Sequence, residues 1–273
     1  MSGGSINGIM LLGSLQYYTD NYYINNINTY IGTSIGSIIC YLLCIGYTPD
    51  EIMVYVFTNN VFDKIKNFNI VAAMNGNGAT SFSHIHEHLE KMTIKKIGKL
   101  ITMKDLYTQF KKKLICCTYN LTLDKIEYLS YEEYPDLPCL IALRMSSNLP
   151  LVFDHFNYMG SNYIDGGIAD NFAIDLGDTL GKKILGIYIK KKSSSFKHSN
   201  DTDTGMLDYI YKLMFIPVDN ITEYKKSLVS KKCTILDINT ETKSFLNFNV
   251  SSKERLDMFS IGYTEATKNN LKL

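Results

Sequence analysis

Apolar residues along the chain fall into short blocks separated by polar turns, and the period within each block sets the element it predicts. Ser2-Gly3-Gly4-Ser5-Ile6-Asn7-Gly8 is a glycine-rich turn, and Ile9 to Leu15 behind it reads as an apolar helix. A short strand is predicted from Ile27 to Thr33. The block from Ile35 to Ile45 is apolar all round, as a buried helix is, and ends at Gly46. Thr48-Pro49-Asp50-Glu51 then starts another helix with a cap, an early proline and acidic residues. Helical patterns run from Val56 to Lys66 and from Ser81 to Lys91, joined by Asn75-Gly76-Asn77-Gly78.

The second half reads differently. Strands are predicted over Leu114 to Thr118 and Leu121 to Leu129, a helix over Pro138 to Arg144, and a buried strand over Lys183 to Lys190. Low-complexity sequence from Lys191 to Gly205 predicts a mobile loop. Met206 to Phe215 after it is apolar enough to be a core helix or to touch lipid. Strands alternating with helices predict an α/β layered fold with a mostly parallel central sheet, and no internal repeat interrupts a single domain over residues 1–273.

Composition narrows the function classes. With 45% hydrophobic and 20% charged residues the chain is of the globular type. A net charge of +1 supplies no field that would gather nucleic acid, and the lysine runs at 111–113 and 190–192 read as solvated surface. The six cysteines show no CxxC spacing and predict buried reduced thiols, hence an intracellular protein, soluble or peripherally attached to membrane. No signal peptide and no transmembrane run are predicted. No nucleotide cofactor is expected either, because no acidic residue ends a second strand at the distance a dinucleotide site needs.

Chemistry is concentrated in Gly32-Thr33-Ser34-Ile35-Gly36, which matches G-x-S-x-G. In that pattern a serine occupies a sharp strand-to-helix turn, with glycines where flanking backbone crowds. An apolar strand ends at Ser34 and an apolar helix follows, so the hydroxyl is expected over the positive end of a helix dipole. A serine needs a base. His155 and His198 are isolated, the latter in the low-complexity segment, whereas Asp165 precedes Gly166-Gly167, where a carboxylate can turn toward a neighbouring strand end. His84, His86 and His88 share a polar helical stretch; the i, i+4 pair could ligate zinc, but the pattern is not H-E-x-x-H and no metal site is expected.

The glycine turn, the G-x-S-x-G and the D-G-G, taken in order, resemble the patatin-like phospholipase family. Members read S-G-G-G-x-[KR]-G, then G-T-S-x-G, then D-G-[GA] followed by an asparagine. Here Asp165-Gly166-Gly167 leads to Asn171, and Ser146-Ser147-Asn148-Leu149-Pro150 is similar to a further family stretch. The resemblance covers about residues 2 to 190. It implies a three-layer fold with a central, mostly parallel sheet flanked by helices. It also implies a Ser34-Asp165 dyad without histidine, an oxyanion hole from the amides of Gly3, Gly4 and Ser5, and no cofactor. The implied activity is hydrolysis of acyl lipids, phospholipid or glycerolipid, met at a membrane surface in lipid metabolism or degradation.

Departures from the family pattern define the rivals. Ser5 stands where a third glycine is usual, Asn7 where a lysine or arginine is usual, and the hydrophobic strand that precedes the glycine run in the family is expected to be missing upstream of Met1. These favour a catalytically silent scaffold as the alternative. A conventional triad built on His155 or His198 is the alternative within enzymes.

Overall fold

The computed structural model describes residues 1–24, 26–59, 61–62, 78–191, 205–240 and 248–269. After a 3-10 turn at Ser5–Asn7 come α1 (Gly8–Asp20), β1 (Thr29–Thr33), α2 (Ile35–Cys44), α3 (Pro49–Thr58), α4 (Ser83–Ile97) and α5 (Met103–Phe110). The chain continues through β2 (Lys113–Asn120), β3 (Lys125–Leu129), α6 (Cys139–Ser146), β4 (Phe156–Tyr158), β5 (Ser161–Asp165) and α7 (Ile174–Thr179). It closes with β6 (Ile184–Lys191), α8 (Gly205–Leu228), β7 (Cys233–Thr240) and α9 (Ser252–Asn269).

The fold is the expected α/β arrangement of a central sheet flanked by helices, but the sheet is mixed and not mostly parallel as predicted, because β3, β4 and β5 are joined through short hairpin and edge pairings instead of helical crossovers. Parallel pairing occurs in β1 with β2 and in β6 with β7; β3, β4 and β5 join antiparallel. One detail of register positions the site. Strand β1 covers residues 113–117 of β2, β5 covers 118–120, and β3 pairs with 116–120. Since β3 occupies one edge of β2, β1 and β5 share the other edge and meet end to end, one arriving from below and one from above.

Residues at the N-terminus lie between the two groups of strands. The Met1 amine donates to the Ile31 carbonyl, Thr33 N–H to the Met1 carbonyl, and Ser2 N–H to the Ile187 carbonyl. Met1 and Ser2 thus link β1 to β6 by backbone hydrogen bonds, and Ser2 Oγ accepts from Ile189 N–H.

The core follows from apolar elements buried on every side. Helix α2 has its residues from Gly36 to Cys44 buried, and β2 places Cys116 and Cys117 in the interior on opposite sheet faces. Five of the free cysteines are buried and Cys233 is half-buried. The capping box of α3 forms as its sequence signals, Thr48 Oγ1 accepting from Glu51 N–H and the Glu51 carboxylate from Thr48 N–H.

Several expectations shift. The helix predicted from Val56 is the end of α3, which stops at Thr58; residues 63–77 with their asparagine-glycine joint lie outside the described residues. The predicted strand 121–129 begins only at Lys125, because Asn120 Oδ1 accepts from Thr122 and Leu123 N–H and bends residues 121–124 into a hairpin turn. Helices α5, α7 and α9 and strands β4 and β7 are additions. Of these, α5 carried a legible start, a capping box of Thr102 with Asp105. The predicted mobile loop falls on residues 192–204, outside the described residues.

Candidate active site

Ser34 is the residue between β1 and α2, with φ 55° and ψ −128°. A side chain at positive φ is strained, and the surroundings hold it there. Ser34 N–H donates to Ser146 Oγ at 3.0 Å, Ser146 Oγ in turn donates to the Cys117 carbonyl at 2.6 Å, and Ser37 Oγ donates to the Ser34 carbonyl at 2.6 Å. Glycine flanks are compulsory: a Cβ on Gly32 would lie 2.5 Å from the Gly36 and Ser37 backbone, and one on Gly36 would lie 2.5 Å from the Ser2 carbonyl oxygen. Thr33 is buried and donates from Oγ1 to the Asp170 carbonyl.

Asp165 ends β5, opposite Thr118, one register step beyond the Thr33–Cys117 pair. The end-to-end meeting of β1 and β5 therefore brings two residues 131 positions apart into contact, Ser34 Oγ donating to Asp165 Oδ2 at 2.6 Å. Its other oxygen accepts from Gly167 N–H at 2.7 Å. The carboxyl is 2% exposed. Burial raises its pKa from 3.8 to about 6, against the lowering pull of the hydrogen bonds from Ser34 and Gly167. Gly166 permits the approach, since a Cβ there would meet the Cys117 carbonyl at 2.4 Å.

The glycine turn lies against the serine. A Cβ on Gly3 would lie 3.2 Å from Ser34 Cβ and 2.5 Å from Asn171 Oδ1. Gly3 N–H is already engaged, by the Asn171 side-chain oxygen at 3.1 Å and its carbonyl at 3.2 Å. This differs from the expected role of Gly3 as an anion donor. Ser5, at φ 54°, turns the chain into α1. Among the described residues no hydrogen bond is recorded from the amides of Gly4, Ser5 or Ile35, and the last of these is the first residue of α2.

Beside this site an apolar cavity of about 100 Å³ opens between α1, α2, α3 and α4. Ser5 and Ile35 belong to its wall near the serine, with Ile9, Ile38, Ile52 and Met92 among the others. His88 also lines it, its Nδ1 3.0 Å from Tyr55 Oη and its Nε2 3.3 Å from His84 Nε2. No third histidine, cysteine or carboxylate joins this pair among the described residues. His155 is exposed and His198 lies outside the described residues.

Three contributors were not singled out in the sequence. Asn171 secures Gly3, Ser146 secures Ser34, and Asn148 secures β5 by accepting from Asp165 N–H through its carbonyl while donating to the Tyr163 carbonyl. All three lie in stretches that the motif reading quoted, so the signal was present without their individual tasks.

The sequence model of the patatin-like phospholipase family matches residues 1–178. The probable lipid hydrolase 463L of Invertebrate iridescent virus 6 is 38% identical over 182 residues, 64% of this chain and 61% of that protein. The match therefore spans less than two thirds of that viral relative. The uncharacterized protein R571 of Acanthamoeba polyphaga mimivirus is 29% identical over 289 residues, 100% of this chain and 93% of that one. Among solved structures, VipD from Legionella pneumophila superposes with a TM-score of 0.55 at 14% identity, over 98% of this chain and 65% of that chain. The type III effector protein ExoU of Pseudomonas aeruginosa gives 0.53 at 12% identity, over 100% and 53%. These structural likenesses concern the fold, while the sequence match from Met1 through the glycine turn, the serine elbow and the Asp165 turn places the chain in the patatin-like phospholipase family.

Proposed function

We propose that the protein is a serine-type acyl lipid hydrolase working through Ser34 and Asp165, on phospholipid or glycerolipid esters. The observation that carries this reading is the 2.6 Å contact between Ser34 Oγ and Asp165 Oδ2 at the start of α2. Ser34 Oγ attacks the ester carbonyl carbon and its proton passes to Asp165. The oxyanion so formed faces the amides of Gly4, Ser5 and Ile35, whose N–H groups are free of other acceptors among the described residues. Collapse breaks the ester C–O bond, and Asp165 returns the proton to the departing alcohol. Water then loses a proton to Asp165 and attacks the acyl-serine; the Ser34 Oγ–acyl bond breaks, the fatty acid is released and Asp165 returns that proton to Ser34 Oγ. The apolar cavity that begins at Ser5 and Ile35 suits the acyl chain.

The test combines labelling with substitution. A fluorophosphonate probe is expected to label the protein at Ser34, and Ser34→Ala to abolish the label. Ser34→Ala and Asp165→Asn should each lower phosphatidylcholine hydrolysis by about a thousandfold or more, whereas His155→Ala and His198→Ala should stay within about twofold of the parent. Loss of activity in either histidine variant would instead favour a triad, and an unlabelled Ser34 in folded protein would favour the silent scaffold.

A further inference from the structure

Helix α8 has two apolar faces, and among the described residues only one of them has a partner. Its inner face packs Tyr211, Phe215 and Val218 onto Phe82, Leu149 and Phe153, a cluster separate from the main core. Phe215 reaches the small void beside Gly3, Gly4 and Asn171. Tyr211 Oη donates to the Pro150 carbonyl, and its phenol is pushed to a higher pKa mainly by burial and further by the Asp165 carboxylate nearby. The inner face thus lies over the Ser34–Asp165 site.

The outer face is turned to solvent. Tyr209, Leu213, Ile216, Ile221, Tyr224 and Leu228 are each 48% to 65% exposed. At 100° per residue they fall within one sector of the helix, opposite Tyr211, Phe215 and Val218. Exposed Pro217 lies in the same sector. Exposed Asn220 and Ser227 are the polar residues within it; Lys212 and Glu223 border it on one side and Lys225 on the other, Glu223 paired with Lys190 and Lys226 and Lys225 with Asp170 and Asp175. A row of this length on one helix is more than the scattered surface apolar groups a folded protein normally shows.

We propose that this outer face of α8 is the surface by which the protein docks on a lipid bilayer, the helix lying flat in the interface. Its occupant follows from continuity: the opposite face of the same helix covers a site read above as one for acyl lipids, and the inference rests on that reading. The helix is suited to lie in the interface rather than span it, since no helix among the described residues is long and apolar enough to cross a membrane. Lys212 has the reach to keep its ammonium at headgroup level. Two hairpins add to the same end of the sheet. Register places the turn at 121–124 and the tip at Met159 beyond Asn120 of β2, above Ser34, with Leu121, Leu123 and Met159 exposed. With border charges of both signs, Glu223 and Lys225 held in ion pairs within the protein, docking is driven by apolar insertion and not by charge.

The experiment is flotation of the full chain with vesicles of pure phosphatidylcholine, in the parent and in Ser34→Ala, so that binding is read without turnover. Both should float, and added salt should leave the bound fraction unchanged. Leu213→Glu with Ile216→Glu should lower binding about tenfold or more. Because the chain has no tryptophan, single Leu213→Trp and Tyr224→Trp proteins provide a second readout that leaves the face apolar. Their emission should shift to the blue with vesicles and be quenched by brominated lipid. Tyr22→Trp, on the turn between α1 and β1 at the other end of the sheet, should do neither. Parent protein that stays unbound overturns the proposal, as does an unquenched Leu213→Trp or a dimer in solution that shields this face. Loss of hydrolysis with flotation intact would refute only the catalytic reading.

Discussion

Asp165 is held between opposing influences that suit the proposed role of base. Burial raises its pKa from 3.8 to about 6, while the Ser34 hydroxyl and Gly167 amide favour the ionised form. In the proposed mechanism the carboxylate must be ionised to take the serine proton, so kcat/KM for a neutral ester is expected to rise with pH up to about 6 and to level off above it. Stability runs the opposite way. The folded-state pKa lies above the unfolded value, so the native state holds the extra proton between about 4 and about 6. The neutral carboxyl's contribution is full below that window and is lost as pH rises through it. Asp165→Asn keeps an acceptor for Gly167 and removes the buried charge. Its thermal unfolding at pH 8 should exceed the parent's by on the order of 2 kcal/mol, with the gap closing toward pH 4. Equal stability at both pH values would contradict the assigned cause. The serine and both glycine motifs were legible as residues. The part played by Asn171 was not, because it depends on a loop folding back 168 positions to reach Gly3.

At the level of elements, α1 and α9 cross at a contact that only glycines allow. A Cβ on Gly13 would lie 2.0 Å from the Phe259 carbonyl oxygen, and one on Gly262 would lie 1.9 Å from that of Met10. Backbone cannot yield there as a flexible side chain can, so the helices would have to separate. Gly262→Ala is expected to cost about 1 to 3 kcal/mol, measured by urea unfolding, and to depress ester hydrolysis because α1 carries the Gly4-Ser5 turn. Unchanged activity in the folded variant would show that α9 does not steady that turn. Sequence period revealed α2 because it is apolar throughout. It missed α9, whose buried positions, Arg255, Met258, Gly262 and Ala266, are spaced along one face among polar residues. Strand β4 was missed because three residues are too few to display alternation.

Across the whole molecule, an ion-pair group ties α8 to α7 and to the loop that follows Asp165. Lys225 Nζ lies 3.0 Å from both Asp170 and Asp175, and Asp170, 2% exposed, also accepts from Tyr128 Oη at 2.6 Å. Lys225→Met would leave a buried carboxylate without its cation. It should destabilise the protein by about 3 kcal/mol, with Asp170→Asn in the same chain recovering much of the loss in urea unfolding. No recovery would mean that Lys225 acts through packing. The sequence by itself determined the α/β class, the family and the residues of the serine and aspartate turns, since these depend on local period and on glycines within a few positions. Only the tertiary structure decided that β1 and β5 meet on one edge of β2, that Gly3's amide is spent on Asn171, and that α8 covers the site with one apolar face while baring another. Strand register and helix docking are set by contacts between segments far apart in the chain, which no local pattern contains.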